Sequence, residues 1–144
     1  MRVFLDTNIV VSGVITPNGS PGRILHALRE RRFELVSCVE LAEEIVSVFG
    51  RPKIRQRYPH AVEALEQILA LLLSETSMVV CQAGPLPTIS DPADAVLLAR
   101  AAAGGADYFV SGDKSDLLAL DMYQNIKIVS AVQFLEILGE NPVS

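Results

Sequence analysis

Val3, Phe4 and Leu5 form a short apolar, β-prone run that stops at the polar residues Asp6, Thr7 and Asn8, the pattern of a buried strand ending at a rim. The loop GSPG at 19–22 opens a helix over 21–31, with Ser20 as its expected N-cap and Pro21 in the first helical position. FELVSC at 33–38 reads as a second strand. Over 39–49, Leu41, Ile45 and Val48 recur at helical spacing, and Gly50 and Pro52 act as stop signals. Residues 61–74 predict a third helix and 78–81 a third strand, followed by the breaker-rich loop QAGPLPTISDP. From Pro92, PADAVLLARAAAGG favours helix and ends at Gly104 and Gly105. A fourth strand at 107–111, a short helix at 114–120, a fifth strand at 126–129 and a closing helix at 131–138 complete the chain.

Strand and helix alternate without a repeat or a long linker. That order predicts a parallel sheet covered by helices on both faces and joined by right-handed crossovers. The expected fold is α/β, a three-layer α/β/α sandwich around a central parallel five-stranded sheet, formed by all 144 residues as one domain.

Composition supports a packed core, since 50% of residues are hydrophobic and 20% charged, unlike a disordered chain. No apolar run approaches the roughly 18 residues that span a bilayer. The chain also opens directly on MRVFLDTN without a leader pattern, so no membrane association and a cytoplasmic location are expected. Cys38 and Cys81 fall in or beside apolar segments, where thiols behave as small hydrophobes rather than as a disulfide framework. The net charge of −5 argues weakly against a nucleic-acid partner, but local charge governs contact with a polyanion. Arg51, Lys53, Arg55 and Arg57 lie within RPKIRQRY, and Arg29, Arg31 and Arg32 within LRERRF.

The chemistry resides in carboxylates. Asp6 follows VFL and Asp113 follows YFVSG, so both are expected at the carboxyl ends of strands, where open parallel sheets gather functional groups. Asp94 falls in the first turn of the helix preceding the Asp113 strand. Each acid also has a plain structural use: an Asx turn for Asp6, helix capping shared with Ser90 and Asp91 for Asp94, and a turn in SGDKSD for Asp113. Several strand-end carboxylates, with no nucleophilic cysteine and no suitable histidine, match the oxygen ligands that Mg2+ or Mn2+ requires. Clustered carboxylates repel one another, and a bound divalent cation removes that cost. Phosphodiester hydrolysis is the natural use of such a site.

DTN at 6–8, an acid in the helix after FELVSC, DPADAVLLARA, and SGD before a short helix together resemble the PIN domain over nearly the whole chain, with bacterial PIN toxins of toxin–antitoxin pairs as the nearest likeness. The resemblance implies four acids: Asp6, Glu44 in LAEEIV, Asp94 and Asp113. Glu43 competes with Glu44, because one helical step of ~100° separates them; Glu44 lies next to the buried stripe of Leu41, Ile45 and Val48. It further implies that Thr7, Asn8 and Ser111 orient the acids or bind substrate, and that one or two Mg2+ or Mn2+ ions activate water for in-line attack on an RNA phosphodiester. Asp116 is read as a cap of the short helix rather than an outer ligand. Arg51, Lys53, Arg55 and Arg57 are candidate phosphate contacts, with a solvated charge run as the alternative, whereas His26 and His60 stand isolated among ordinary helix residues. A homodimer and a small antitoxin partner are implied as well.

Two other readings stand beside this one. A phosphatase of the haloacid-dehalogenase kind wants a second aspartate two residues after the first, and here Asn8 occupies that position. A non-catalytic PIN-fold binding or scaffolding protein would keep the fold and use its rim only to grip a partner.

Overall fold

The computed structural model describes residues 1–74, 86–112 and 115–139. Strand β1 (Arg2–Leu5) is followed by α1 (Thr7–Ile15) and α2 (Ser20–Arg29), and β2 (Glu34–Val36) by α3 (Val39–Phe49), α4 (Pro52–Arg57) and α5 (Ala61–Leu72). Helix α6 (Pro92–Ala103) leads into β3 (Tyr108–Ser111), then α7 (Ser115–Leu120), β4 (Met122–Tyr123), β5 (Ile126–Ser130) and α8 (Ala131–Leu138).

The sheet has the order β2-β1-β3-β5-β4. Four strands run parallel, and β4 is an antiparallel edge of two residues paired to β5. The five-stranded α/β architecture is as expected, but the fifth strand among the described residues is this edge hairpin. The strand expected at 78–81 lies outside the described residues. Gln124, at φ 53, and Asp121, at φ 64, make the tight turns around β4, and no apolar alternation announces so short a strand.

Chain direction decides where function can sit. From β1 the chain crosses to β2 on one side, whereas β3 and then β5 lie on the other. With right-handed crossovers, this reversal puts α6 and α7 on the face opposite α1 and α2. It also opens a crevice between the carboxyl ends of β1 and β3, the switch point where ligands bind in open α/β sheets. Beneath that crevice Phe4 and Phe109, paired in register, stack with centroids 5.2 Å apart and planes 11° from parallel. Both rings are fully buried, so the crevice rests on a close-packed floor.

Three helix starts differ from expectation. Helix α1 was not expected, because TNIVVSGVI is dense in β-branched residues that disfavour helix. It forms because Asp6 caps it and because Thr7, Ile9, Val10, Gly13 and Val14 are buried, so packing overrides propensity. Helix α2 begins one residue early: Gly19 is its N-cap and makes no side-chain bond, and Ser20 is already helical. Gly50 and Pro52 end one helix only to begin another, with Pro52 in the first turn of α4, where its missing N–H costs nothing.

Candidate active site

The carboxyl end of β1 delivers Asp6 to the switch point. Its backbone N–H donates to the Val110 carbonyl at 3.0 Å, which extends the β1–β3 ladder by one residue and sets Asp6 beside Ser111. One carboxylate oxygen, Oδ1, accepts the Ile9 N–H at 3.0 Å and caps α1. The other, Oδ2, accepts the Ser111 hydroxyl at 2.9 Å and the Gly112 N–H at 3.1 Å. With Asp6 only 1% exposed and Ser111 fully buried, three donors, one from the first turn of α1 and two from the end of β3, hold the carboxylate in one orientation.

Asp94 sits in the first turn of α6 and is 4% exposed. Capping of that helix belongs to Asp91, whose Oδ1 accepts the Ala93 N–H at 2.9 Å and the Asp94 N–H at 3.5 Å. The sequence left capping and function competing for Asp94; the structure gives the cap to its neighbour. Ser90 lies one residue before that N-cap, and its hydroxyl donates to Asp116. Asp116 thereby ties the first turn of α7 to the loop before α6, rather than acting only within its own helix.

Glu44 is half-buried on α3 and Glu43 is exposed. Glu40, one turn before Glu44 on the same side of the helix, accepts from the Arg100 guanidinium of α6 at 3.1 Å. That bond turns this side of α3 toward the helix that carries Asp94. Asp113 lies outside the described residues.

Two buried hydroxyls, Thr7 Oγ1 and Ser37 Oγ, have no hydrogen-bond partner among the described residues. Thr7 follows Asp6 in the chain, and Ser37 follows Val36, the register partner of Phe4, so both stand at strand ends on the same rim. Buried hydroxyls without protein partners are rare and costly, and call for a water or an ion to satisfy them. The adjacent thiol is of the opposite kind: burial pushes the Cys38 pKa up to about 11, against a smaller lowering by the Leu41 N–H. Cys38 is therefore neutral and offers no thiolate to a soft metal. Among the described residues, no three His, Cys, Asp or Glu side chains by themselves form a metal-holding group. The oxygen donors at the rim, with orphaned buried hydroxyls at the ends of β1 and β2, fit a hard divalent cation.

A family model described as PIN domain matches residues 2–115. The chain belongs to the PIN-domain family. The match runs from β1 to the start of α7 and so takes in Asp6, Glu44, Asp94 and Asp113. An uncharacterised protein of Methanocaldococcus jannaschii is 27% identical over 88 residues, covering 57% of this chain and 57% of that relative. The chain thus spans little more than half the length of that relative. No solved structure matches the chain at a significant level. PIN domains are generally nucleases, and the fold is of that type.

Around this PIN-domain rim the remaining expected residues take distinct places. Asn8 is exposed on α1 and lies against Gly112, where a Cβ would come within 3.0 Å of the Asn8 Cβ. Arg51, Lys53, Arg55 and Arg57 are all exposed on or beside α4, and none forms an ion pair among the described residues. The Arg57 guanidinium lies 5.6 Å from the centroid of the Tyr58 ring. His26 and His60, far apart in sequence, line one cavity of about 650 Å³ with Arg23 and Arg29, between α2 and α5. Nothing local to either histidine signals this; only the packing of α1 against both α2 and α5 brings them together. No helix among the described residues is long and apolar enough to cross a membrane.

Proposed function

We propose that this PIN domain is a divalent-metal-dependent endoribonuclease that hydrolyses RNA phosphodiester bonds. The observation that carries the reading is Asp6, a buried carboxylate fixed by Ser111, Gly112 and Ile9 at the switch point of the sheet. Asp94, buried yet relieved of capping by Asp91, supports it. Asp6, Asp94, Asp113 and Glu44 are the residues that would hold Mg2+ or Mn2+. When bound, such an ion lowers the pKa of a water molecule and offsets charge on the phosphate.

The protein's own part is positioning. Ser111 and Gly112 hold the Asp6 carboxylate in one orientation, so its outward lone pairs keep a fixed direction. Thr7 and Ser37 contribute hydroxyl oxygens, and Asn8 an amide, at the same rim. The cations of α4, which form no ion pair among the described residues, supply the phosphate attraction that the net charge of −5 lacks. A toxin role, with a homodimer, a small antitoxin partner and a cytoplasmic location, extends the reading on the likeness of the motif order to bacterial PIN toxins.

The direct test is incubation of the purified chain with tRNA, mRNA and single-stranded DNA in Mg2+ or Mn2+, against EDTA controls. RNA cleavage that needs the divalent ion is expected. Absence of cleavage, with no divalent-ion binding in a calorimetric titration, would leave the PIN fold as a binding scaffold and reject the nuclease reading.

A further inference from the structure

A second feature adjoins Asp6. A cavity of about 380 Å³ opens on the rim between α1 and the start of α8, and Ser111 and Gly112, which both bond to Asp6 Oδ2, form part of its wall. Its volume lies at the small end of the roughly 300–1,000 Å³ typical of ligand pockets, room for one planar group rather than a stretch of chain.

Its chemistry is divided. Ile9, Pro21 and Val132 give apolar surface suited to the faces of a ring. The polar groups are few, and most are occupied: the Ser111 hydroxyl is committed to Asp6, and the Ser130 hydroxyl accepts the Gln133 N–H as part of a capping box. Two remain. Asn8 and Ser12 stand one turn apart on α1, both exposed, and neither side chain makes a hydrogen bond among the described residues. An amide and a hydroxyl each supply a donor and an acceptor, which is what the edge of a nucleobase requires. Glycine at 112 leaves Asn8 its place at the wall, because a Cβ there would crowd it.

From this juxtaposition we propose that the cavity receives one unpaired nucleobase beside the cut, with Asn8 and Ser12 reading its edge. The proposal rests on the ribonuclease reading above. A base within a duplex presents neither free faces nor a free pairing edge, whereas an unstacked base presents both.

The test takes an oligoribonucleotide that the protein cuts, the same strand with an abasic residue on either side of the cut, and the same strand annealed to its complement. Loss of one flanking base is expected to lower kcat/KM at least about tenfold, and annealing to lower it further. Ser12→Phe and Val132→Trp, each filling the cavity from a solvent-accessible position, are expected to bring the ratio of intact to abasic cleavage toward one. In EDTA, fluorescence of a 2-aminopurine placed beside the cut should change on binding to the wild type and not to Ser12→Phe. For a chain that cuts no RNA, the nuclease reading fails, and a 2-aminopurine scan along a single-stranded oligoribonucleotide decides the pocket by itself. Equal cleavage of intact and abasic strands, or a fluorescence change that survives both variants, overturns the base pocket while leaving the nuclease reading in place.

Discussion

Ser111 and Asp6 are separated by more than a hundred residues, yet the Ser111 hydroxyl donates to the Asp6 carboxylate at 2.9 Å with both groups out of solvent. Parallel pairing of β1 and β3 creates this contact, and it links the stability of the sheet to the orientation of the proposed metal ligand. Ser111→Ala removes a buried hydrogen bond to a charged group, which costs about 1.5–3 kcal/mol. Urea denaturation should record it, and cleavage should fall by roughly 10–100-fold, as for the partners of other metal ligands.

Asp6 itself serves both the cap and the rim. Asp6→Ala removes the α1 cap, about 0.5–2 kcal/mol, and strands the Ser111 hydroxyl and the Gly112 N–H. Asp6→Asn keeps a capping oxygen but loses an anion. Thermal unfolding is expected to rank wild type above Asn and Asn above Ala, while both variants lose cleavage. A variant that loses stability alone would reduce Asp6 to a structural residue.

The position of Asp6 was legible in the sequence because VFL followed by Asp, in a chain of alternating strand and helix, has one natural address: a strand end. The division of labour between Asp91 and Asp94 was not. Asp91 and Asp94 both satisfy the composition of a helix start, and only the bond from Ala93 N–H to Asp91 assigns the cap. Helix α1 escaped because its β-branched residues signal strand, and only burial shows why they are helical. Helix α4 escaped because Pro52 stops or starts a helix with equal right. The joint cavity of His26 and His60 is a product of tertiary packing and has no local pattern.

The cations of α4 make no ion pairs among the described residues, so replacing them removes little from the fold. Arg51, Lys53, Arg55 and Arg57 changed singly to Ala should alter stability by no more than about 0.5 kcal/mol. Removing a cation that neutralises one phosphate should reduce the slope of log K against log salt by about 0.7 for single-stranded RNA. Fluorescence anisotropy over a salt series measures that slope, and an unchanged value in the quadruple variant would remove α4 from the RNA path.

Cys38 predicts a pH dependence of known sign. Its folded pKa, about 11, lies above the ordinary value of 9.0, chiefly through burial. The folded state therefore holds the proton more tightly than the unfolded chain, and the resulting stability is complete below pH 9 and declines as pH rises toward 11. In a Cys81→Ser background, denaturation midpoints should fall across that window more steeply than in the same protein carrying Cys38→Ala. Iodoacetamide at pH 8 should label Cys38 only after unfolding.

The neighbours Asp91 and Asp94 divide a structural role from a proposed chemical one, and single-turnover RNA cleavage in Mg2+ or Mn2+ separates them. Asp94→Asn is compared with Asp91→Ala, with folding checked by circular dichroism. Asp94→Asn is expected to fold and to lose at least about a hundredfold in rate, while Asp91→Ala loses about 1 kcal/mol of stability and still cuts. Cleavage at the wild-type rate by folded Asp94→Asn would contradict a metal-holding role for Asp94 and, with it, the proposed nuclease site.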